Sequence, residues 1–315
     1  MKIVLLEGLG ITDEKLESYL TPLREEGHEV AVYERNDDVA VQIEEAKDAD
    51  ILVIANMPLK GEVIRSCKHL KYINVAFTGV DHVDLQAAKE CNVKVSNASG
   101  YSNDAVAELT ICMMLSLLRN FPAVETRCRE GGTKDGLIGG ELNGKTVGII
   151  GAGAIGSSVA KLCRAFGCKT IAYNGFSHKE STEEMTYLPM KEMMEQADIV
   201  ALHCPVTEQS KGIINEETLS YMKPTAYLIN EARGPVVDSK ALADALNAGK
   251  IAGAAVDVFE MEPPIPNDHP LLNAKNIIVT PHVAFATKES MIKRADIIFD
   301  NLHSFIKGEQ KNIIL

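Results

Sequence analysis

The segment VGIIGAGAIG at residues 147–156 constrains the fold more than any other part of the chain. An apolar, β-branched run meets the pattern G-x-G-x-x-G and passes into a helical pattern, which predicts a strand, a tight turn and a helix. Gly151 permits the turn, Gly153 lets the backbone approach a pyrophosphate, and Gly156 lets the helix pack closely on its strand. The helix start offers N–H groups to phosphates, and the residues there are Ala154 and Ile155. The segment therefore predicts a dinucleotide site, against the alternative of a glycine-rich turn in another α/β protein.

Composition excludes several classes of protein. The chain has 315 residues, of which 46% are hydrophobic, and a formal net charge of −12. This length accommodates two domains, and the negative charge disfavours nucleic acid and anionic membranes as partners. No apolar run approaches the roughly 18 residues of a membrane-spanning helix, and the apolar N-terminal stretch is too short for a secretory signal. We therefore expect a cytoplasmic protein with no nucleic-acid or membrane partner.

The cysteines show no metal-binding or disulfide pattern. There are seven of them, and none forms a C-x-x-C pair, so we expect neither a zinc site nor thioredoxin-like chemistry. Reduced thiols packed as small apolar residues are the simplest interpretation.

Short apolar segments alternate with helical patterns along most of the chain, which predicts parallel sheets with helices on both faces. The first series of predicted strands comprises residues 3–6, 29–33, 51–54, 72–75 and 93–95. The second series starts at Val147 and continues with residues 169–173, 199–202, 226–229, 253–256 and 276–279. The final helical pattern, residues 288–307, lies beyond the last strand, so we assign it to the first domain. The predicted domains are residues 1–100 together with 286–315, and residues 101–285.

Three side chains suited to acid–base chemistry and anion binding follow late strands of the second domain. They are Arg233 in NEARG, Glu262 in DVFEMEP and His282 in TPHVA. Because ligands of open parallel sheets bind outside the carboxyl ends of the strands, we expect all three near the glycine turn. Taken singly, each has a structural interpretation. Arg233 could cap a helix or pair with an acid, Glu262 could be a surface residue, and His282 could be a structural histidine.

Their joint placement favours hydride transfer to a 2-keto acid. A planar guanidinium grips a carboxylate through two parallel hydrogen bonds. A histidinium donates a proton to the carbonyl oxygen as hydride reaches the carbon, and a neighbouring carboxylate orients the imidazole and favours its charged form.

These motifs and their order resemble the D-isomer-specific 2-hydroxyacid dehydrogenase family. The matching segments within residues 136–284 are GLIGGELNGKTVGIIGAGAIG, ADIVALHCPVT, NEARGPVVD, AAVDVFEMEPP and TPHVA. Weaker matches, FTGVDHVD and NASGYSNDAVAE, extend the resemblance over nearly the whole chain. The resemblance implies two doubly wound parallel-sheet domains, a Rossmann-type nucleotide domain and a flavodoxin-like substrate domain. It also implies a cleft between them that closes by domain movement, and a homodimer built on the nucleotide domains.

The resemblance implies roles for particular residues as well. Arg233 is expected to bind and polarise the substrate, Glu262 to pair with the histidine, and His282 to act as acid and base. The expected substrate contacts also include the backbone of Phe77, Thr78 and Gly79, and the side chain of Asn103. The expected cofactor contacts outside the glycine turn are His203, Pro205, Ala232 and Asp257.

The sequence departs from the family pattern at the adenosine end of the cofactor site. The second strand of such a unit ordinarily ends in Asp or Glu, which binds the ribose hydroxyls, whereas Asn174 stands here. An amide still hydrogen-bonds a ribose hydroxyl but does not repel a 2′-phosphate, and Ser177, His178 and Lys179 follow closely. Since no arginine is present in this stretch, we expect NAD as cofactor and leave NADP open.

The loop expected to bind the substrate, residues 77–79, also departs from the family pattern. Phe77 brings a bulky ring where small residues are frequent in the family, and Met57 and Tyr101 add apolar character. This favours glyoxylate, hydroxypyruvate, pyruvate or a branched 2-keto acid over phosphoglycerate, although an ordinary core role for Phe77 stays open.

Two other functions compete with a 2-keto acid reductase. A nucleotide-sensing, corepressor-like interaction protein needs none of the three residues Arg233, Glu262 and His282, so their presence favours the enzyme. The other alternative is a relative that acts on formate or phosphite. Relatives that act on formate carry glutamine at the position of Glu262, which favours a hydroxy acid here.

Overall fold

The computed structural model describes residues 1–173, 175–176 and 179–315. Asn174, a predicted cofactor contact, lies outside the described residues, as do Ser177 and His178. The chain divides into two compact units. The first comprises Met1–Ser102 with Ala286–Leu315, and the second comprises Asn103–Phe285.

The first unit is built on a parallel sheet whose described strands lie in the order β2-β1-β3-β4-β5. The strands are β1 (Lys2–Leu5), β2 (Glu29–Val32), β3 (Ile51–Ile54), β4 (Tyr72–Val75) and β5 (Lys94–Asn97). The helices of this unit are α1 (Asp13–Glu25), α2 (Val39–Ala46), α3 (Gly61–Ser66), α4 (Leu85–Glu90) and α11 (Lys288–Ile306). The order 2-1-3-4-5 is that of flavodoxin-like sheets.

Helix α11 and the segment after it belong to the first unit. A capping box between Thr287 and Ser290 starts the helix, which stabilises its first turn. The buried Asn301 donates from its amide to the carbonyl oxygen of Asn97 at 2.9 Å. Beyond the helix, the backbone of Leu315 accepts a hydrogen bond from the N–H of Val95 in β5 at 2.9 Å. The last residues therefore extend the hydrogen bonding of the first sheet.

The second unit is built on a parallel sheet whose described strands follow the order β12-β11-β10-β9-β6-β7-β8. The strands are β6 (Thr146–Ile150), β7 (Lys169–Tyr173), β8 (Thr186–Leu188), β9 (Ile199–Leu202), β10 (Tyr227–Asn230), β11 (Gly253–Val256) and β12 (Ile277–Val279). The helices are α5 (Asn103–Leu118), α6 (Phe121–Arg129), α7 (Ala154–Ala165), α8 (Met190–Gln196), α9 (Glu216–Leu219) and α10 (Ser239–Asn247). Strand order therefore reverses between β6 and β9, as it does in Rossmann-type sheets. The predicted fold class, two doubly wound α/β sheets, is confirmed.

Alternate side chains of the second sheet enter cores on its opposite faces, as strand geometry requires. Ile150, Leu202, Leu228 and Val256 pack into one core. The other core contains the neighbouring strand residues together with α5 and α7, and its sheet members include Ile149, Ala201, Ile229 and Ala255. Both faces of the sheet are thus covered, which leaves its carboxyl edge as the place for polar side chains.

In the part of the chain that the structure describes, no single helix has the length and apolar character of a membrane span. One bent pair, Asn103–Leu118 with Phe121–Arg129, meets the criteria jointly, with an angle of 63° between the two helices.

Candidate active site

The glycine turn joins β6 to α7, and its geometry explains why glycine stands at each of the three positions of the G-x-G-x-x-G pattern, 151, 153 and 156. Gly151 has φ +100°, and a Cβ there would lie 2.5 Å from the backbone nitrogen of Cys204. A Cβ on Gly156 would lie 2.3 Å from the carbonyl oxygen of Gly151, so this glycine lets helix and strand approach closely. A Cβ on Gly153 meets nothing within 4 Å. The space before the start of α7 is therefore open, and N–H groups and the positive helix end suit a phosphate there.

A pocket of about 360 Å³ lies beside this turn. Its wall includes Tyr173 and Phe176, whose rings meet edge to face with centroids 5.1 Å apart. Lys179 also contributes, and its Nζ donates to the carbonyl oxygen of Ala152 at 2.8 Å. A pocket of this size next to a helix start, with aromatic and cationic lining, has the character of a nucleotide site. The residues present therefore fit a dinucleotide cofactor.

His203 and Pro205 line the same pocket, at the end of β9. Both ring nitrogens of His203 are buried and have no hydrogen-bond partner among the residues that the structure describes. Burial lowers the pKa of His203 to about 4, because an imidazolium there would lose its hydration. The imidazole is consequently neutral at physiological pH.

Arg233 lies on the loop that follows β10. Its Nη1 donates to the carbonyl oxygen of Ala232 at 2.9 Å, and its backbone precedes the 3-10 helix Gly234–Val236. Asn230 braces the loop, since its side chain accepts from the N–H of Ala232 at 3.1 Å and donates to the carbonyl oxygen of Arg233 at 3.2 Å. A Cβ on Gly234 would lie 1.9 Å from the backbone of Phe259, so the loop passes too close to its neighbour for any side chain there.

Asp257, at the end of β11, holds the loop that carries His282. Its fully buried carboxylate accepts hydrogen bonds from the Thr280 hydroxyl at 2.6 Å, the N–H of Val283 at 2.8 Å and the N–H of Ala284 at 2.9 Å. Burial raises the pKa of Asp257, and these hydrogen bonds oppose that rise. The described contacts of this carboxylate therefore fix the loop on both sides of His282.

His282 and Glu262 form a close pair. The Nδ1 of His282 lies 3.0 and 2.9 Å from the two carboxylate oxygens of Glu262. The backbone of His282 is left-handed, with φ +55°, and its N–H donates to the carbonyl oxygen of Asp257 at 2.7 Å. An imidazole tied through Nδ1 presents Nε2 as the atom for proton exchange with a ligand.

Glu231 is a polar residue of this region that sequence reasoning missed. Only 7% of it is exposed, and its Oε2 is hydrogen-bonded to the hydroxyl of Thr110 on α5. Burial raises the pKa of Glu231 to about 8. A glutamate directly after a buried apolar strand, inside the motif NEARG, is the signal that could have revealed it.

The predicted substrate loop follows β4 in the first unit. Phe77 is buried, and its ring packs against His82 and Tyr101 at centroid distances of 6.3 and 6.2 Å. The Thr78 carbonyl oxygen accepts from the Asn97 amide at 2.7 Å, while the buried Thr78 hydroxyl has no hydrogen-bond partner among the described residues. Phe77 therefore packs as a core aromatic.

Asn103 is the first residue of α5, in the second unit. No group of three or more potential metal ligands occurs among the described residues.

Comparisons with known proteins agree on one family. The family model described as "D-isomer specific 2-hydroxyacid dehydrogenase, NAD binding domain" matches residues 111–284. A hydroxypyruvate reductase of Blautia hydrogenotrophica is 35% identical over 327 residues, which cover 100% of this chain and 99% of that protein.

Solved structures show the same likeness over the full length. An acyclic imino acid reductase in complex with NADPH and D-Arg has a TM-score of 0.91 at 28% identity, with 100% of both chains covered. A D-lactate dehydrogenase from Aquifex aeolicus complexed with NAD and lactic acid has a TM-score of 0.84 at 30% identity, covering 98% of this chain and 96% of that one.

Proposed function

This chain belongs to the D-isomer-specific 2-hydroxyacid dehydrogenase family and is a nicotinamide-dependent oxidoreductase, and we propose that it interconverts a small 2-keto acid and its D-2-hydroxy acid. The observation that carries the proposal is the pairing of His282 Nδ1 with both carboxylate oxygens of Glu262. Arg233 follows β10 of the same parallel sheet, whose strands deliver their loops to one edge.

The histidine pair supplies the proton in this scheme. When bound, the nicotinamide cofactor supplies or accepts the hydride at the substrate's C2. During reduction, Nε2 of the His282 imidazolium gives its proton to the C2 oxygen, and the oxygen becomes the hydroxyl of the product. Glu262 stabilises the imidazolium and fixes its orientation through Nδ1. In the reverse direction the neutral Nε2 accepts the hydroxyl proton.

Arg233 binds the substrate's carboxylate in this proposal. A guanidinium forms two parallel charge-assisted hydrogen bonds with a carboxylate, which fixes both the position and the rotation of the substrate. The Asn230 side chain and the close packing of Gly234 hold the loop from which the guanidinium extends. We also assign to substrate binding the backbone of Phe77, Thr78 and Gly79, and the side chain of Asn103.

The cofactor is assigned to the glycine turn and its pocket. The phosphates are placed at the start of α7, where Gly153 leaves open space. His203, Pro205, Ala232 and Asp257 are assigned to the nicotinamide and ribose side. We propose NAD as the preferred cofactor, because the sequence that follows β7, residues 174–180, contains no arginine to bind a 2′-phosphate.

We propose that the chain forms a homodimer through the second unit. Helix α6 contributes no buried residue, and Phe121 and Ile138 are exposed by 60% and 84%. Apolar side chains of this kind are candidates for burial against a second copy.

The test is loss of reduced-nicotinamide absorbance with NADH and NADPH, each offered with a panel of 2-keto acids. Glyoxylate, hydroxypyruvate, pyruvate, 2-ketobutyrate, 2-ketoisocaproate and phenylpyruvate sample pocket size and polarity. We expect turnover with at least one small acid and a larger kcat/KM with NADH. Nucleotide binding with no turnover across the panel would instead favour the nucleotide-sensing, corepressor-like alternative.

A further inference from the structure

A buried carboxyl lies at the base of the loop that carries Arg233. Asn230, the last residue of β10, pairs in register with Leu202 of β9 and Val256 of β11. Glu231 therefore begins its loop between His203 and Asp257 on the neighbouring strands. Its side chain enters the core on the α5 face, where only 7% of the residue remains exposed. The proposed reaction gives this carboxyl no role.

Two acceptors around Thr110 compete for a single hydroxyl hydrogen. The Thr110 hydroxyl lies 2.7 Å from the carbonyl oxygen of Val106, to which it donates as residues one helical turn apart commonly do. The same oxygen is hydrogen-bonded to Oε2 of Glu231. A hydroxyl has a single hydrogen. If that hydrogen goes to Val106, the second bond requires a hydrogen on Glu231.

The charges that face Glu231 favour the same arrangement. Asp257 on β11 is a carboxylate satisfied by three donors, so its negative charge opposes a second one nearby. His203 on β9 is neutral, since burial keeps its pKa at about 4. Arg233 lies on the same loop and donates to the backbone of Ala232, while α5 presents the neutral Thr110 hydroxyl. Burial accordingly raises the pKa of Glu231 to about 8.

We propose that Glu231 is a positioning residue whose neutral carboxyl donates its proton to Thr110 and so ties the loop of Arg233 to helix α5. The inference rests on the proposed function, in which Arg233 binds the substrate carboxylate. When Glu231 loses its proton to solvent, Thr110 can hold the carboxylate only by withdrawing its hydrogen from Val106, and the new negative charge is repelled by that of Asp257. The loop then moves away from α5, and Arg233 loses its placement for the substrate.

The test is the pH profile of kcat/KM for oxidation of the D-2-hydroxy acid. Oxidation uses His282 as a base, so alkaline pH does not remove a proton donor that the reaction needs. Ionisation of Glu231 then imposes a descending limb with a midpoint near pH 8, about tenfold per pH unit beyond it. Glu231→Gln keeps a donor toward Thr110 but cannot ionise, so its profile should reach a plateau. A descending limb that is unchanged in this variant, or missing from the wild type, overturns the inference.

Variants of Thr110 distinguish a positioning role of Glu231 from general destabilisation. Thr110→Val removes the acceptor and should raise KM more than it lowers kcat, by about tenfold in kcat/KM. Thr110→Ser restores the hydroxyl and should restore KM. Glu108→Gln alters an exposed glutamate of the same helix and should leave both the rate and the descending limb unchanged. A Thr110→Val enzyme with unchanged KM contradicts the role given to this hydrogen bond.

An infrared measurement keeps this inference distinct from the proposed function. At pH 7 the wild type should show the carbonyl band of a protonated carboxylic acid, and Glu231→Gln should lack it. This holds whether or not any 2-keto acid turns over. If the two spectra are identical, Glu231 is not neutral and the inference fails. If the variant lacks the band but the wild type turns over no 2-keto acid, Glu231 is neutral and only the proposed reaction is refuted.

Discussion

Two histidine–carboxylate pairs lie in the same stretch of the second unit. His282 meets Glu262 through Nδ1 at 2.9 Å, and His269 meets Glu260 through Nε2 at 3.0 Å. Both are short contacts between an imidazole and a carboxylate, so distance alone does not distinguish them. What differs in the described contacts is the nitrogen that faces the carboxylate, which is Nδ1 in His282 and Nε2 in His269.

His269 is tied at both ring nitrogens within the fold. Its Nδ1 accepts from the N–H of Leu271 at 3.3 Å and so caps the 3-10 helix Pro270–Asn273. Its ring also meets Phe259 edge to face at 5.1 Å. A histidine with both nitrogens bonded internally has no atom left for a substrate. The same pair of residue types therefore supports a loop in one place and, in our proposal, moves a proton in the other.

The largest expected contrast comes from replacing each histidine in turn. His282→Asn should lower kcat by about 10²- to 10⁴-fold, the usual contribution of a general acid–base, while cofactor binding stays near the wild-type value. His269→Asn is the matched control and should leave kcat within a fewfold while lowering the melting temperature. Steady-state kinetics, cofactor titration and thermal unfolding measure the three quantities. Equal loss of kcat in both variants would falsify the distinction between the pairs.

The second prediction tests whether Arg233 binds the substrate carboxylate for the His282–Glu262 pair. Arg233→Lys should reduce kcat/KM roughly 10- to 100-fold, because an ammonium cannot reproduce two parallel hydrogen bonds to a carboxylate. The loss should appear mainly in KM for the 2-keto acid, with KM for NADH unchanged. Full activity in this variant is incompatible with bidentate carboxylate binding.

The third contrast concerns the carboxylates. Glu262→Gln should lower kcat about tenfold, from loss of a charge-assisted hydrogen bond of about 1.5 kcal/mol to the imidazolium. Glu260→Gln is the control and should leave kcat unchanged. A larger kinetic effect at Glu260 than at Glu262 would reverse the assignment of the two pairs.

The smallest expected effect is on stability in acid. Burial alone would raise the pKa of Glu260, but hydrogen bonds from Ser239 and His269 outweigh it and hold this pKa below its ordinary value of 4.5. A carboxyl with a lowered pKa in the folded state stabilises the protein above pH 4.5, and this contribution is lost as the pH falls through the folded-state value. Thermal unfolding of Glu260→Gln should therefore differ from that of the wild type near neutral pH and converge with it in acid. A difference that persists unchanged into strong acid rules out this linkage.

Long periodic segments and glycine patterns made much of the fold predictable. The predicted strands at residues 51–54, 72–75, 199–202 and 253–256 coincide with β3, β4, β9 and β11, because each is a short apolar run with helical segments around it. Several elements were given no predicted range, among them β8 and α6, and the helices α8, α9 and α10 were expected only as part of the general alternation. Strand β8 has three residues, all half-buried, so it carries no continuous apolar run, and α6 has no buried face to impose a period.

The candidate site was predictable where chemistry and chain position coincide. Glu262 and His282 are brought together as the motifs implied, and they are twenty positions apart in sequence. The second pair, of His269 with Glu260, has the same residue types and gave no separate signal. The fold of the segment between β11 and β12 sets which ring nitrogen each carboxylate reaches. Glu231 escaped notice because the role we propose for it depends on Thr110, which lies 121 residues earlier in the chain.

Helix α11 and the residues after it return to the first sheet, and this constrains the order in which the two units can complete their hydrogen bonding. The N–H of Val95 donates to Leu315, and the Ser96 hydroxyl donates to the carbonyl oxygen of Lys311 at 2.6 Å. These bonds form only after residues 311–315 have been synthesised, and those residues follow every residue of the second unit in the chain. The first sheet therefore cannot complete its hydrogen bonding until the whole second unit has been made.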